Sequence, residues 1–155
     1  MNTLYRKIVV ALFILQAFLM VPPSAVYAQG MTCPTPVDVI INVKPGDTVN
    51  KINLSSRGLL PVAVLGMEDF DASLFLPMMA HLHDATAPMD CSGAEAVRWS
   101  YSDVNRDGRT DLVFFFRVQE LPLTASTTDV MLMAHGMYGG EEIHIMGTDA
   151  VIIKP

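Results

Sequence analysis

The stretch that decides the fold is Ala94-Glu95-Ala96-Val97-Arg98-Trp99-Ser100-Tyr101-Ser102, with the loop Asp103-Val104-Asn105-Arg106-Asp107-Gly108-Arg109-Thr110-Asp111 and the run Leu112-Val113-Phe114-Phe115-Phe116-Arg117-Val118 behind it. The first segment alternates. Val97, Trp99 and Tyr101 fall on one face, and Arg98, Ser100 and Ser102 on the other, which is the period of a half-buried strand. Its apolar face, rings included, is expected to turn into the core. The run from Leu112 is apolar on both faces until Arg117, as a central strand is.

Outward from this pair the same grammar repeats. Val37 to Val43 alternates and stops at the turn Lys44-Pro45-Gly46-Asp47. Leu59 to Leu65 is a further strand, and Pro61, having no N–H to donate, places it at a sheet edge or has the strand begin there. Glu68 to Pro77 reads as a connection with a helical turn over 71–75, and His81 to Gly93 reads as loop. Asp129 to Tyr138 is a long strand, and Gly139-Gly140 turns it back into Glu141–Met146. Gly147-Thr148 punctuates before a last strand from Asp149 to Ile153. With about six to eight short strands and no amphipathic run long enough for a substantial helix, the chain reads as all-β, an antiparallel β-sandwich.

The loop at 103–111 carries the strongest chemical signal. Asp103, Asn105, Asp107 and Asp111 occupy positions 1, 3, 5 and 9, with Gly108 at position 6, the spacing by which a tight loop wraps a hard cation. The Arg109 carbonyl supplies position 7. Asp111 closes the shell directly or through water. Asn, Asp and Gly also build plain turns, but three carboxylates in nine residues repel one another unless a cation neutralises them. Carboxylate and carbonyl oxygens on a flexible loop suit Ca2+ better than Mg2+. Position 12 is Phe114 rather than a bidentate Glu, and a strand follows rather than a helix, so this is not an EF-hand. It resembles the inter-strand calcium loops of integrin-type FG-GAP repeats.

The N-terminus reads as an export signal. Arg6 and Lys7 precede an apolar run from Ile8 to Val21, Pro22 and Pro23 break it, and Val26-Tyr27-Ala28 suits the small-residue cleavage rule. The run is shorter than the roughly twenty residues that span a bilayer, which argues against an uncleaved anchor. Gly30-Met31-Thr32 before Cys33 makes a poor lipoprotein box, so no lipid is expected there. Residues 1–28 are thus a signal peptide and 29–155 one domain. Loss of Arg6 and Lys7 leaves eight basic against sixteen acidic residues, a net charge of −8. So acidic a chain repels nucleic acid and anionic lipid. After cleavage no membrane attachment is expected. Cys33 and Cys91 would form one disulfide in an oxidising compartment, closing a loop of about 58 residues worth at most roughly 4 kcal/mol.

Several stretches together resemble a widespread module of bacterial secreted proteins. They are Ile41-Asn42-Val43-Lys44-Pro45-Gly46-Asp47, Asn50-Lys51-Ile52-Asn53-Leu54, Gly58-Leu59-Leu60-Pro61-Val62-Ala63-Val64-Leu65, Asp69-Phe70-Asp71-Ala72, and the Asp103–Leu112 loop with Phe116-Arg117. The resemblance runs from about Val37 to Ile153. It implies an extracellular β-sandwich with a calcium loop, often appended to larger secreted proteins, and no established catalytic activity. Asn42 stands where Asp is usual, and Arg106 where the loop is Gly-rich.

Other functions are weighed against this reading. Met131, Met133, His135 and Met137 share one face of a strand, and His81, His83, Met78, Met79 and Met89 could join them as thioether and imidazole ligands for Cu(I). A periplasmic soft-metal protein is therefore an alternative, although Met also fills irregular cores. Carbohydrate binding through Trp99 and Tyr101 is a second alternative, set back by the expectation that both rings are buried. No enzyme is expected. The chain has no Gly-x-Ser-x-Gly, no His-Glu-x-x-His and no phosphate loop, and Glu141 and Glu142 point to opposite faces. The leading expectation is a secreted, non-catalytic calcium module whose partner is another extracellular protein or a glycan.

Overall fold

The computed structural model describes residues 35–88 and 93–154. The signal peptide expected over residues 1–28, and both Cys33 and Cys91, lie outside the described residues. Ten strands follow in chain order: β1 (Val37–Asp38), β2 (Ile41–Val43), β3 (Lys51–Asn53), β4 (Leu59–Val64), β5 (Phe75–Asp84), β6 (Ala94–Ser102), β7 (Asp111–Arg117), β8 (Asp129–Tyr138), β9 (Glu141–Ala150) and β10 (Ile152–Lys154). Two 3-10 turns, over Ala72–Leu74 and Val118–Glu120, are the only helical elements among the described residues. No helix among them is long and apolar enough to cross a membrane.

Eight strands form one sheet in the order β1-β9-β8-β5-β6-β7-β4-β2, and β10 with β3 makes a separate two-stranded strip. The expected antiparallel arrangement holds for most pairs, but β1 runs parallel to β9 and β10 parallel to β3, so the sheet is mixed. The sheet is also curled. Residues 37–43 pair with β9 at their start and with β4 at their end, so one short segment ties the two outermost neighbours together. Val39 N donates to Met146 O at 2.8 Å, and Leu65 N donates to Ile40 O at 2.9 Å, on opposite sides of that segment. Gly147 permits the approach: a Cβ there would lie 2.6 Å from both Val39 O and Ile41 Cγ2. It therefore does not punctuate, and β9 runs straight through it.

Inside the curl lies one apolar cluster that includes Val43, Val62, Leu112, Phe114, Phe116, Leu132 and Ile145. Burying each such side chain contributes about 1.5–3 kcal/mol. β7 is interior, between β6 and β4, as its doubly apolar pattern predicts. β4 is interior as well, which corrects the edge placement drawn from Pro61. Lys44 N donates to Pro61 O at 2.9 Å, so the missing N–H faces the same side, where β2 has already ended and Lys44 turns away with φ 53°. The proline therefore costs no ladder bond. A second correction concerns 81–84, expected in a loop but forming the end of β5, paired with β8. The 3-10 turn at Ala72–Leu74 matches the expected helical turn and is capped by Asp71, whose side chain accepts from Ser73 N. Gly139 and Gly140 turn β8 into β9 with φ 59° and 96°, the left-handed pair that a type I′ hairpin requires.

Candidate functional site

The loop between β6 and β7 is organised by its own side chains. Asp103 accepts from Asp107 N at 3.2 Å through Oδ1 and from Gly108 N at 3.0 Å through Oδ2. Asn105 Oδ1 accepts from Asp107 N at 3.1 Å, and Asp107 Oδ1 accepts from Arg109 N at 2.8 Å. Positions 1, 3 and 5 thus turn over the backbone of 107–109, each accepting from a backbone N–H as turn-forming Asx side chains do. Arg106 and Gly108 supply the reversal with φ of 62° and 85°. The Arg109 N–H first, and then the Asn105 amide, hold the Asp107 carboxyl below the usual carboxylate range. Asn105 Nδ2 donates to Asp107 Oδ2 at 2.9 Å.

Asp111 stands apart from this group. Its Oδ1 accepts from Gly66 N and its Oδ2 from Val104 N, both at 2.8 Å, and the residue is fully buried. The carboxylate therefore clamps the loop to the end of β4. Each oxygen keeps a lone pair, but its orientation is set by protein donors. Among the described residues, no three His, Cys, Asp or Glu side chains are placed together to hold one metal ion. A cation in this loop would rest on Asp103, Asp107, the Asn105 amide oxygen and the Arg109 carbonyl, with Asp111 behind them. Beside the loop is a cleft of about 380 Å³ lined by Glu68, Asp71, Gly108 and Arg109. Asp71 stays low in pKa chiefly because it accepts from the Ser73 hydroxyl and backbone.

Trp99 and Tyr101 correct the expectation that both rings are buried. Register puts them opposite Phe114 and Leu112, on the inner face as expected. They are nonetheless 44% and 37% exposed. The cause is the divergence of β5 from β6, which pair only at His81–Glu95 and Leu82–Ala94, leaving the rest of β6 uncovered. A bulge between Ala96 and Arg98 also throws Val97 outward, to 39% exposure. The rings meet edge to face at 5.4 Å, and Tyr101 Oη donates to Phe75 O at 2.7 Å. Trp99 then lines a cleft of about 170 Å³ with Pro77, Met78, Met79, Arg98 and Phe114. Arg98 itself lies over the Phe115 ring at 3.6 Å on the other face.

The methionine-rich strand is β8. Met131 and Met133 are buried but lie outside the main apolar cluster, on the face opposite Leu132. Cross-strand pairing sets His83 against Met131, His81 against Met133, and Met79 and His144 against His135. Sequence alone grouped His81 and His83 with these methionines but left both in a loop; the pairing of β5 with β8 is what sets each opposite its partner. The shared two-residue spacing of His81/His83 and Met131/Met133 is the signal that grouped them. Neither a family model, nor a curated protein, nor a solved structure matches the chain.

Proposed function

We propose that the protein is an exported, non-catalytic β-module stabilised by one Ca2+ in the 103–111 loop, serving as an interaction or accessory domain. The observation that carries this reading is the convergence of Asp103, Asn105 and Asp107 around left-handed Arg106 and Gly108. The sandwich reading is supported by one apolar cluster shared by β5, β8 and β9 with β2, β4 and β7, and by β6, which pairs with β5 at its start and with β7 beyond. The apolar leader and the acidic charge support an extracellular or periplasmic setting, where calcium is plentiful. Extracellular modules bind Ca2+ at about 10⁻⁴ to 10⁻³ M, which at millimolar calcium adds about 0.5–1.5 kcal/mol. Calorimetric titration should show one site in this range, lost in Asp103→Ala and Asp107→Ala. Absence of any heat or thermal shift at several millimolar Ca2+ would refute it.

A second reading, carbohydrate binding, is favoured by the exposed Trp99–Tyr101 pair, of which Trp99 lines a cleft. Aromatic faces beside polar groups suit sugar rings. A glycan array read with the native chain and with Trp99→Ala decides it: signal confined to the native chain supports the reading, and no signal removes it.

A further inference from the structure

The outer face of β5 and β8 holds two imidazole nitrogens with nothing to bond. His83 is 1% exposed, and its Nε2 has no hydrogen-bond partner among the described residues. Its Nδ1 lies 2.8 Å from Asp84 O. A carbonyl can only accept, so Nδ1 carries the proton and Nε2 presents a bare lone pair. His81 Nδ1 is likewise buried and unpartnered. A buried polar group left unpaired costs about 1–3 kcal/mol, so two on neighbouring rows call for an explanation. Each histidine faces a methionine: His83 is paired with Met131 and His81 with Met133, and the two methionines are only 9% and 6% exposed. Leu82 and Leu132, on the opposite parity, point into the core.

We propose that His81, His83, Met131 and Met133 bind one soft monovalent metal ion, Cu(I). Thioether sulfur selects soft ions, and imidazole accepts copper readily. A backbone carbonyl receiving the remote N–H of a ligating histidine is the usual outer-shell support, and Asp84 O supplies it. A cavity of about 230 Å³ lined by Met79, His81, Met133, Ala134, His135 and His144 holds two of the four ligands, with His83 and Met131 on the next same-face pair of the same ladder. Among the described residues no carboxylate lines it, so a hard divalent ion finds no anionic oxygen from them there. His135 and His144, with ring centres 5.5 Å apart, stand at the mouth as donors for an incoming ion.

The test uses the full chain with free thiols alkylated, titrated with Cu(I) against a chromophoric chelator and, separately, with Ag(I) and Zn(II). One equivalent of Cu(I) and of Ag(I) should bind, with X-ray absorption showing both sulfur and nitrogen neighbours. Met131→Leu with Met133→Leu keeps side-chain volume and should weaken Cu(I) binding beyond the 10–100-fold that an outer-shell loss costs. Asp103→Ala should leave it unchanged. His83→Leu gives an independent readout: metal-free melting temperature equal to or above the native value, with the Cu(I)-induced rise abolished. A histidine with a purely structural role would instead lower the metal-free melting temperature. The proposal is overturned by no binding, by binding lost on alkylation, by binding indifferent to the double Met variant, or by a destabilised metal-free His83→Leu.

Discussion

Asp111→Ala separates the scaffold of the loop from its ion chemistry. The substitution removes the acceptor for Gly66 N and Val104 N, each 2.8 Å from a carboxylate oxygen. A hydrogen bond to a charged group contributes about 1.5–3 kcal/mol, and an abandoned buried donor costs about 1–3 kcal/mol. Val104 N is part-buried and can recruit water, whereas the Gly66 bond is buried and cannot. The expected loss is therefore about 3–4 kcal/mol, or a melting temperature lower by roughly 10–15 °C for a domain of this size. Asp103→Ala removes two bonds as well, but both are exposed, so water replaces them and the loss stays under about 1 kcal/mol. The assay is urea denaturation of the two variants and the native chain, in EGTA and in millimolar Ca2+. In EGTA, Asp111→Ala should be far the weaker protein, and Asp103→Ala should match the native chain. Calcium should then raise the native midpoint and leave that of Asp103→Ala unmoved. Equal stability of the two variants in EGTA would show that Asp111 is an ordinary loop residue and that the clamp on Gly66 has been misread.

Gly147→Ala should cost about 2–3 kcal/mol by thermal melting, since the added methyl meets Val39 O and Ile41 Cγ2 at 2.6 Å and overpacking of this kind is worth about 1–3 kcal/mol. Tyr101→Phe should lose only about 0.5–1.5 kcal/mol, the bond to the Phe75 carbonyl, and Trp99→Ala should change stability less than truncation of the buried Phe114, for which about 3–5 kcal/mol is expected. The Asp84 carboxyl is held below its ordinary 3.8, first by the Thr127 hydroxyl and then by the Thr86 hydroxyl and N–H. A folded pKa below the unfolded one contributes stability that is present above pH 3.8 and lost as pH falls through the folded value. Asp84→Asn should therefore flatten the acid limb of the stability curve below pH 3.8; an unchanged limb would remove Asp84 from that role.

The strands were readable wherever one face alternates or both are apolar, because burial alone imposes those patterns. Leu112 to Arg117 and the Gly139-Gly140 hairpin are of this kind, while the one strand expected over 37–43 splits into β1 and β2, with Val37 exposed. The failures share a physical cause: each depends on what lies across the sheet. Pro61 looks like an edge residue until β2 is seen to stop at Val43, and Gly147 looks like a break until Ile41 fills the space above it. Trp99 and Tyr101 take the inner face that their alternation predicts, yet alternation cannot reveal that β5 leaves β6 after two pairs and bares them. The same holds for the chemistry. The 103–111 loop is local, so its turn could be read by counting residues, whereas the bond from Gly66 N to Asp111 could not. The neutral donors of β5 and β8 meet only through pairing between residues about fifty positions apart, a separation that no motif spans. Period-two parity is the one trace such a site leaves in a sequence: it groups His81 and His83 with the β8 methionines, and only the pairing of β5 with β8 sets each opposite its partner.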